Sequence, residues 1–128
     1  MFIRTLKDIE TTPNFVEWGS GTSHRLLTQE DNIGFTICHT VVWPKTESML
    51  EYRNHLEACY CIEGEGEIED FEGNRHTIKP GTVYVLNEHD KHILRNKGDM
   101  PCILVSVFTP PLVGNEKHSI NQDVASSY

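Results

Sequence analysis

The chain has 128 residues, 38% of them hydrophobic, and its 19 acidic side chains against 11 Lys and Arg give a formal net charge of -8. That length suits one domain around a single core, and the acidic balance excludes nucleic acid as an expected partner, because phosphate-backbone binding needs a clustered basic face. No run of about 18 apolar residues occurs, and the opening MFIRTLKDIE turns polar and acidic at once, so neither a membrane span nor a leader is expected and the chain reads as soluble and cytoplasmic.

In chain order, residues 2–6 alternate enough for an edge strand, and residues 7–10 suit one helical turn before the Thr12-Pro13-Asn14 turn. In VEWGSGTSHRLL, Gly19 and Gly21 interrupt a strand; Ser23 and Arg25 then share a face, with Trp18 just before the break. Arg25 has two readings, a fork that clamps a substrate carboxylate or a solvated charge at a rim. A polar turn at 29–32 leads to GFTICHTVVW, residues 34–43, a long strand with unlike faces. Thr36, Cys38, Thr40 and Val42 make a small, more polar face suited to a wet pocket, whereas Phe35, Ile37, Val41 and Trp43 make a bulky one suited to packing. The Thr40 hydroxyl is available to substrate or to nearby backbone.

After a turn at 44–47, Leu50 and Tyr52 share one face, while His55 and Glu57 share the opposite parity. Tyr52, His55 and Glu57 therefore reach one cavity only if the chain bends near Asn54. With that bend His55 becomes a supporting or proton-transfer group; without it, a strand-end histidine in water. Turns are expected around Gly64 and Gly66, at Glu72-Gly73-Asn74 and at Lys79-Pro80-Gly81. Strands at such spacing, with no long amphipathic helix, indicate an all-β barrel or sandwich. MPCILVSVF, residues 100–108, is the most apolar run and reads as a buried strand. Cys38, Cys59, Cys61 and Cys102 sit inside apolar segments at spacings that suit neither zinc nor C-x-x-C chemistry, and read as free buried thiols. Beyond Thr109-Pro110-Pro111 the composition turns polar, so the barrel is expected over residues 1–111 and a flexible tail or lid over 112–128. Glu116 and His118 either reach back over the barrel mouth or are solvated.

Residues 50–96 resemble the paired motifs of the cupin superfamily. The second motif, G-x5-P-x-G-x2-H-x3-N, runs from Gly81 through His92 to Asn96, with Asn87 and His89 in place of its Pro and Gly. The first, H-x-H-x3,4-E-x6-G, keeps Glu57 and Gly64 but lacks both histidines, which would fall near Leu50 to Arg53. The resemblance implies a jelly-roll barrel in which Glu57 and His92 stand at metal-site positions. If the strand at 82–86 turns through 87–91 and returns as 92–96, Tyr84 and His92 converge beside Glu57. One carboxylate, one phenol and one imidazole would suit iron or another first-row ion better than structural zinc, although a strand tyrosine also serves as a core residue with a bonded hydroxyl.

A narrower resemblance rests on TLKDIE, WGSGTSHRLL, NIGFT, YRNHLEACYCIEGEGEIED, IKPGT followed by Tyr84, EHDKH and VFTPPLVGNE, which follow the order seen in ectoine synthases across residues 1–118. Residues from Ser119 onward depart from that family. The resemblance implies a dimeric cupin enzyme that closes N-γ-acetyl-L-2,4-diaminobutyrate, with loss of water, into ectoine, a compatible solute used under osmotic stress. It implies Fe2+, replaceable by other divalent first-row ions, on Glu57, Tyr84 and His92. Trp18, Ser23, Arg25, Thr40, Tyr52, Phe108 and Glu116 would contact substrate, and Tyr52, His55 or Glu116 would move protons. The strand expected at residues 2–6 could pair with a sheet edge of a second subunit. An iron cupin dioxygenase and a non-catalytic solute-binding cupin are the competing readings.

Overall fold

Short alternating segments, punctuated by glycine and proline, fold into two facing sheets; the computed structural model describes residues 1–116 and the backbone of Ser126–Ser127. Helix α1 (Leu6–Ile9) precedes β1 (Phe15–Glu17), β2 (Gly21–Leu27) and, after a 3-10 turn at Gln29–Asp31, β3 (Thr36–Val42). Then follow β4 (Thr46–Glu51), β5 (Leu56–Glu63), β6 (Gly66–Asp70), β7 (Arg75–Ile78), β8 (Val83–Leu86), β9 (His92–Asn96), β10 (Cys102–Thr109) and β11 (Ser126–Ser127). One sheet has the order β1-β2-β3-β10-β5-β8 and the other β11-β4-β9-β6-β7. This is the expected all-β cupin-type barrel, and among the described residues no helix is long and apolar enough to cross a membrane.

The core lies between the sheets, where period-two alternation sends every second side chain. In β10 Cys102, Leu104, Ser106 and Phe108 are buried, and β5 turns Glu57, Cys59 and Cys61 inward beside them. All four cysteines are buried and free, as expected. The small face of β3 also points inward, while bulky Ile37 and Val41 on its back are only half-buried. Gly64, in the GEG turn after β5, has φ 75 and a Cβ there would lie 2.2 Å from the Pro101 carbonyl oxygen, so both conformation and space require glycine.

Three local expectations are corrected. Residues 2–6 do not form a strand: Thr5 caps α1, accepting from the Asp8 N–H at 3.3 Å and donating its own N–H to the Asp8 carboxylate at 2.9 Å. That capping box outweighs a weak alternation with no neighbouring strand to pair it. The segments 82–86 and 92–96 are not a hairpin either, because β8 belongs to the six-stranded sheet and β9 to the other, so the link between them crosses the sandwich. Finally, residues 112–116, assigned to the tail on composition, are anchored. Leu112 is fully buried, its N–H donates to Thr36 Oγ1 at 2.8 Å and its carbonyl accepts from the Gln29 N–H at 2.8 Å. His118 and most of the segment expected as a lid lie outside the described residues. The backbone of Ser126–Ser127 pairs in parallel with Leu50 and Glu51.

Candidate active site

Strand register builds the site. Tyr84 on β8 stands opposite Cys59 on β5, Cys59 opposite Ser106 on β10, Ser106 opposite Cys38 on β3, and Cys38 opposite Arg25 on β2. Directly opposed residues share a face, so one inward row carries a phenol at one end and a guanidinium at the other. Glu57 occupies the adjoining row, between Leu86 and Phe108. Above these rows lies a cavity, open to solvent, whose walls include Trp18, Ser23, Arg25 and Thr40 at one end and Glu57, Cys59 and Tyr84 at the other. Tyr52 and Phe108 line it as well, and the second sheet contributes Leu50 and Leu94.

The Glu57 carboxyl is buried, and that burial pushes it up to about 8, with the Cys59 thiol and the Arg25 charge pulling only partly back. Burial also lifts the Tyr84 phenol well above its usual value, helped by the neighbouring Cys59 and Glu57. His92 comes from the opposite sheet and is buried, with its ring 6.2 Å from that of Tyr52. It lies beside the cavity without lining the open space. Its Nδ1 is 2.8 Å from the Asp90 carbonyl oxygen, an acceptor only, so Nδ1 carries the hydrogen and Nε2 keeps its lone pair. Burial lowers the His92 pKa, against the pull of the Asp90 carbonyl, and the neutral ring leaves Nε2 buried without a hydrogen-bond partner among the described residues. Leu50 stands directly opposite His92 across β4 and β9, an apolar side chain in the region where a complete cupin motif supplies histidine. Among the described residues no three His, Cys, Asp or Glu side chains gather closely enough to hold a metal; a set that includes Tyr84 takes only two members from those types.

At the far end, Arg25 is 1% exposed, which rules out the solvated-rim reading. Its Nη1 donates to the Gly114 carbonyl at 3.2 Å, its Nε donates to Ser23 Oγ at 3.3 Å, and Glu116 Oε1 lies 3.5 Å from Nη1. Glu116 does not line the cavity; its carboxylate accepts the N–H groups of Val113 and Gly114, both at 2.8 Å. Burial raises this carboxyl, but the Gly114 and Val113 N–H groups and Arg25 outweigh burial and hold it below its usual value. Thr40 Oγ1 lies 2.9 Å from Ser106 Oγ, and Trp18 donates its Nε1–H to the Thr22 carbonyl at 3.2 Å.

The bend expected near Asn54 exists: β4 ends at Glu51, β5 begins at Leu56, and the intervening residues follow neither strand. The Tyr52 ring meets Phe108 edge-on at 5.1 Å, while His55 sits at the rim, 6.2 Å from the Phe108 ring and with Nδ1 2.7 Å from the Pro110 carbonyl oxygen. Tyr52 therefore lines the cavity and His55 borders it. Cys59, Ser106, Leu94 and Leu104 also line the cavity and were missed as site residues. Ser106 carried a signal, a polar residue at inward parity in the most apolar run; Cys59 shares the parity of Glu57.

Comparison with known proteins places this geometry. The family model described as ectoine synthase matches residues 1–126, so the match runs past Ser119, where the sequence alone reads as a departure from that family. The chain is 44% identical over 119 residues to an L-ectoine synthase of Bordetella avium, covering 92% of this chain and 89% of that one. A crystal structure of ectoine synthase from P. lautus superposes with a TM-score of 0.82 at 41% identity, covering 89% of this chain and 81% of that chain. A cupin 2 conserved barrel domain protein from Salinispora arenicola, 22% identical, shares the fold with a TM-score of 0.69 over 85% of this chain and 88% of its own. With the match running through the inward rows of both sheets and the turns that join them, the chain belongs to the ectoine synthase family.

Proposed function

We propose that this protein is a hydro-lyase that closes N-γ-acetyl-L-2,4-diaminobutyrate into ectoine and water. The observation that carries the reading is the inward row from Tyr84 to Arg25, which sets a buried cation at one end of a small cavity and hard donors at the other. The substrate carboxylate suits Arg25, whose planar fork binds carboxylates through paired hydrogen bonds. Ser23 and Thr40 offer hydroxyls to the remaining polar groups, and Trp18, Tyr52 and Phe108 form walls that fold the chain of the substrate back on itself. In the reaction the amine nitrogen bonds to the acetamide carbon as its C–O bond breaks, and the two amine hydrogens leave with the oxygen as water. Holding amine and carbonyl about 3 to 3.5 Å apart supplies a large share of the acceleration. His55, whose Nδ1 donates to the Pro110 carbonyl, presents Nε2 as a proton acceptor for the substrate amine at the rim; the Tyr52 hydroxyl on the cavity wall suits proton donation to the departing oxygen, and Glu116, outside the cavity, acts only through Arg25, 3.5 Å away.

The residues fit a divalent ion. The orphaned Nε2 of His92, its other nitrogen fixed by a carbonyl, is the usual arrangement of a ligating histidine, and Glu57 is a buried carboxyl lacking a full counter-charge. Glu57, Tyr84 and His92 would hold iron, with other first-row divalent ions able to replace it. When bound, the ion supplies Lewis acidity toward a carbonyl oxygen. Free buried thiols suit a reducing, cytoplasmic compartment, where ectoine would act as a compatible solute under osmotic stress. A homodimer is supported by exposed Phe2 and Ile3 and by an apolar outer face made of Tyr60, Ile62, Val83 and Val85 on and beside β8, which ends its sheet.

Incubating iron-loaded protein with the acetylated diaminobutyrate, while following ectoine and dissolved oxygen together, tests the reading. Ectoine without oxygen uptake is expected. Strict oxygen dependence would replace it with the dioxygenase reading, and no turnover by loaded protein would leave a solute-binding cupin.

A further inference from the structure

We propose that His89 is a positioning residue for the cyclisation, acting through the bend that carries Tyr52 and His55; this rests on the function proposed above. Tyr52 and Glu57 have opposite strand parity, so both address one cavity only because the chain breaks between β4 and β5. The break needs something to hold its width. His89 Nδ1 lies 2.8 Å from the Tyr52 carbonyl oxygen and 3.0 Å from the His55 carbonyl oxygen, at the two ends of the bend. Both partners are acceptors, so Nδ1 carries the hydrogen and shares it between them. One N–H thus sets the separation of the two backbone units from which Tyr52 and His55 project.

The backbone of His89 supports the same conclusion. It has φ 56, a left-handed conformation that glycine adopts without cost and histidine does not. The cupin pattern has glycine here, and this chain keeps the glycine-like conformation while adding a ring that reaches across to the bend. The same loop also reaches His92, because the Glu88 N–H donates to Asp90 Oδ2 at 3.0 Å and the Asp90 carbonyl accepts from His92 Nδ1 at 2.8 Å. The loop therefore orients His92 through the Asp90 backbone and the Tyr52–His55 bend through the His89 ring, by separate hydrogen bonds. Removing the ring should disturb the second and spare the first.

His89→Gly keeps the backbone conformation and deletes the donor, whereas His89→Asn tolerates the conformation and retains an N–H on a shorter side chain. With iron-loaded enzyme, His89→Gly should lose at least about tenfold in kcat with KM changed less than about threefold, about 1.4 kcal/mol of transition-state stabilisation. Its iron content should match wild type, exchange of the amides of residues 53–55 should accelerate, and His89→Asn should recover most of kcat. Wild-type kcat in His89→Gly overturns the proposal, as does a lowered melting temperature with kcat intact below the transition, which a purely structural tie would give. Equal loss of kcat in both variants overturns it too. A wild type that forms no ectoine overturns the functional reading instead, and the amide exchange still reports whether His89 holds the bend.

Discussion

Replacing Glu57 with Gln isolates what a buried carboxyl does to the metal-free protein, since Gln keeps the shape and cannot ionise. Burial raises Glu57 from the ordinary 4.5 to about 8 in the folded chain. The folded value lies above the unfolded one, so the contribution of this group to stability is complete below about 4.5 and is lost as pH climbs through about 8. Each unit between the two values is worth about 1.4 kcal/mol, which puts the ceiling on the loss at about 5 kcal/mol. Against a typical domain stability of about 5 to 15 kcal/mol that is a measurable fraction. Urea unfolding of chelator-treated wild type and Glu57→Gln, from about pH 5 to about pH 8, should show the difference swinging toward the variant with a slope of up to about 1.4 kcal/mol per unit. Divalent iron should reverse the order, because a cation requires the ionised carboxylate, and displacing the Glu57 proton should make its affinity for wild type rise by up to about tenfold more per pH unit than its affinity for Glu57→Gln over the same window. A stability difference flat in pH would refute the buried, uncompensated state of Glu57, and an equal pH slope of metal affinity in wild type and Glu57→Gln would refute its role as a ligand.

Arg25→Lys should raise KM for the acetylated substrate by at least about tenfold, because a lysine loses the fork and cannot also satisfy the Gly114 carbonyl; an unchanged KM removes Arg25 from the carboxylate site. Phe108→Ala deletes a buried ring that packs on Tyr52 and His55, and should cost about 3 kcal/mol of stability and lower turnover together; thermal unfolding and steady-state rates check both. Val85→Asp places a charge on the outer face of β8, where Val83 and Val85 are 58% and 53% exposed, and should shift the light-scattering mass from dimer to monomer, while wild type measured as a monomer at micromolar concentration refutes the dimer.

The sequence exposed parity better than register. Period-two alternation correctly separated the small face of β3, with Thr36, Cys38, Thr40 and Val42, from the bulky face behind it, because each strand has one wet and one dry choice of face. It was silent on which strands adjoin, and a five-residue link between β8 and β9 serves a hairpin and a sheet crossing equally well. Arg25 stayed ambiguous for a related reason, since the carbonyl that buries it belongs to Gly114, 89 residues away. At the N-terminus the deciding signal is local: Thr5 and Asp8 are a readable capping pair, and a strand candidate without a neighbour is weak. Cys59 and Ser106 look like core residues because they are small and sit in apolar runs, and only the cross-strand register turns them into the middle of a row linking Tyr84 to Arg25.

The parity conflict between Tyr52 and Glu57 belongs to a different category, because it was visible in the sequence as a contradiction. Its resolution comes from His89, 34 residues beyond His55 and standing where the superfamily pattern has glycine. A departure from a motif and a violation of strand alternation, far apart in sequence, turn out to be two halves of one contact. Such paired irregularities gather where function demands geometry that regular structure cannot supply. In this barrel the demand is to bring a tyrosine to a cavity whose carboxylate lies on the opposite parity, and the cost of meeting it is a left-handed histidine in the loop that also orients His92.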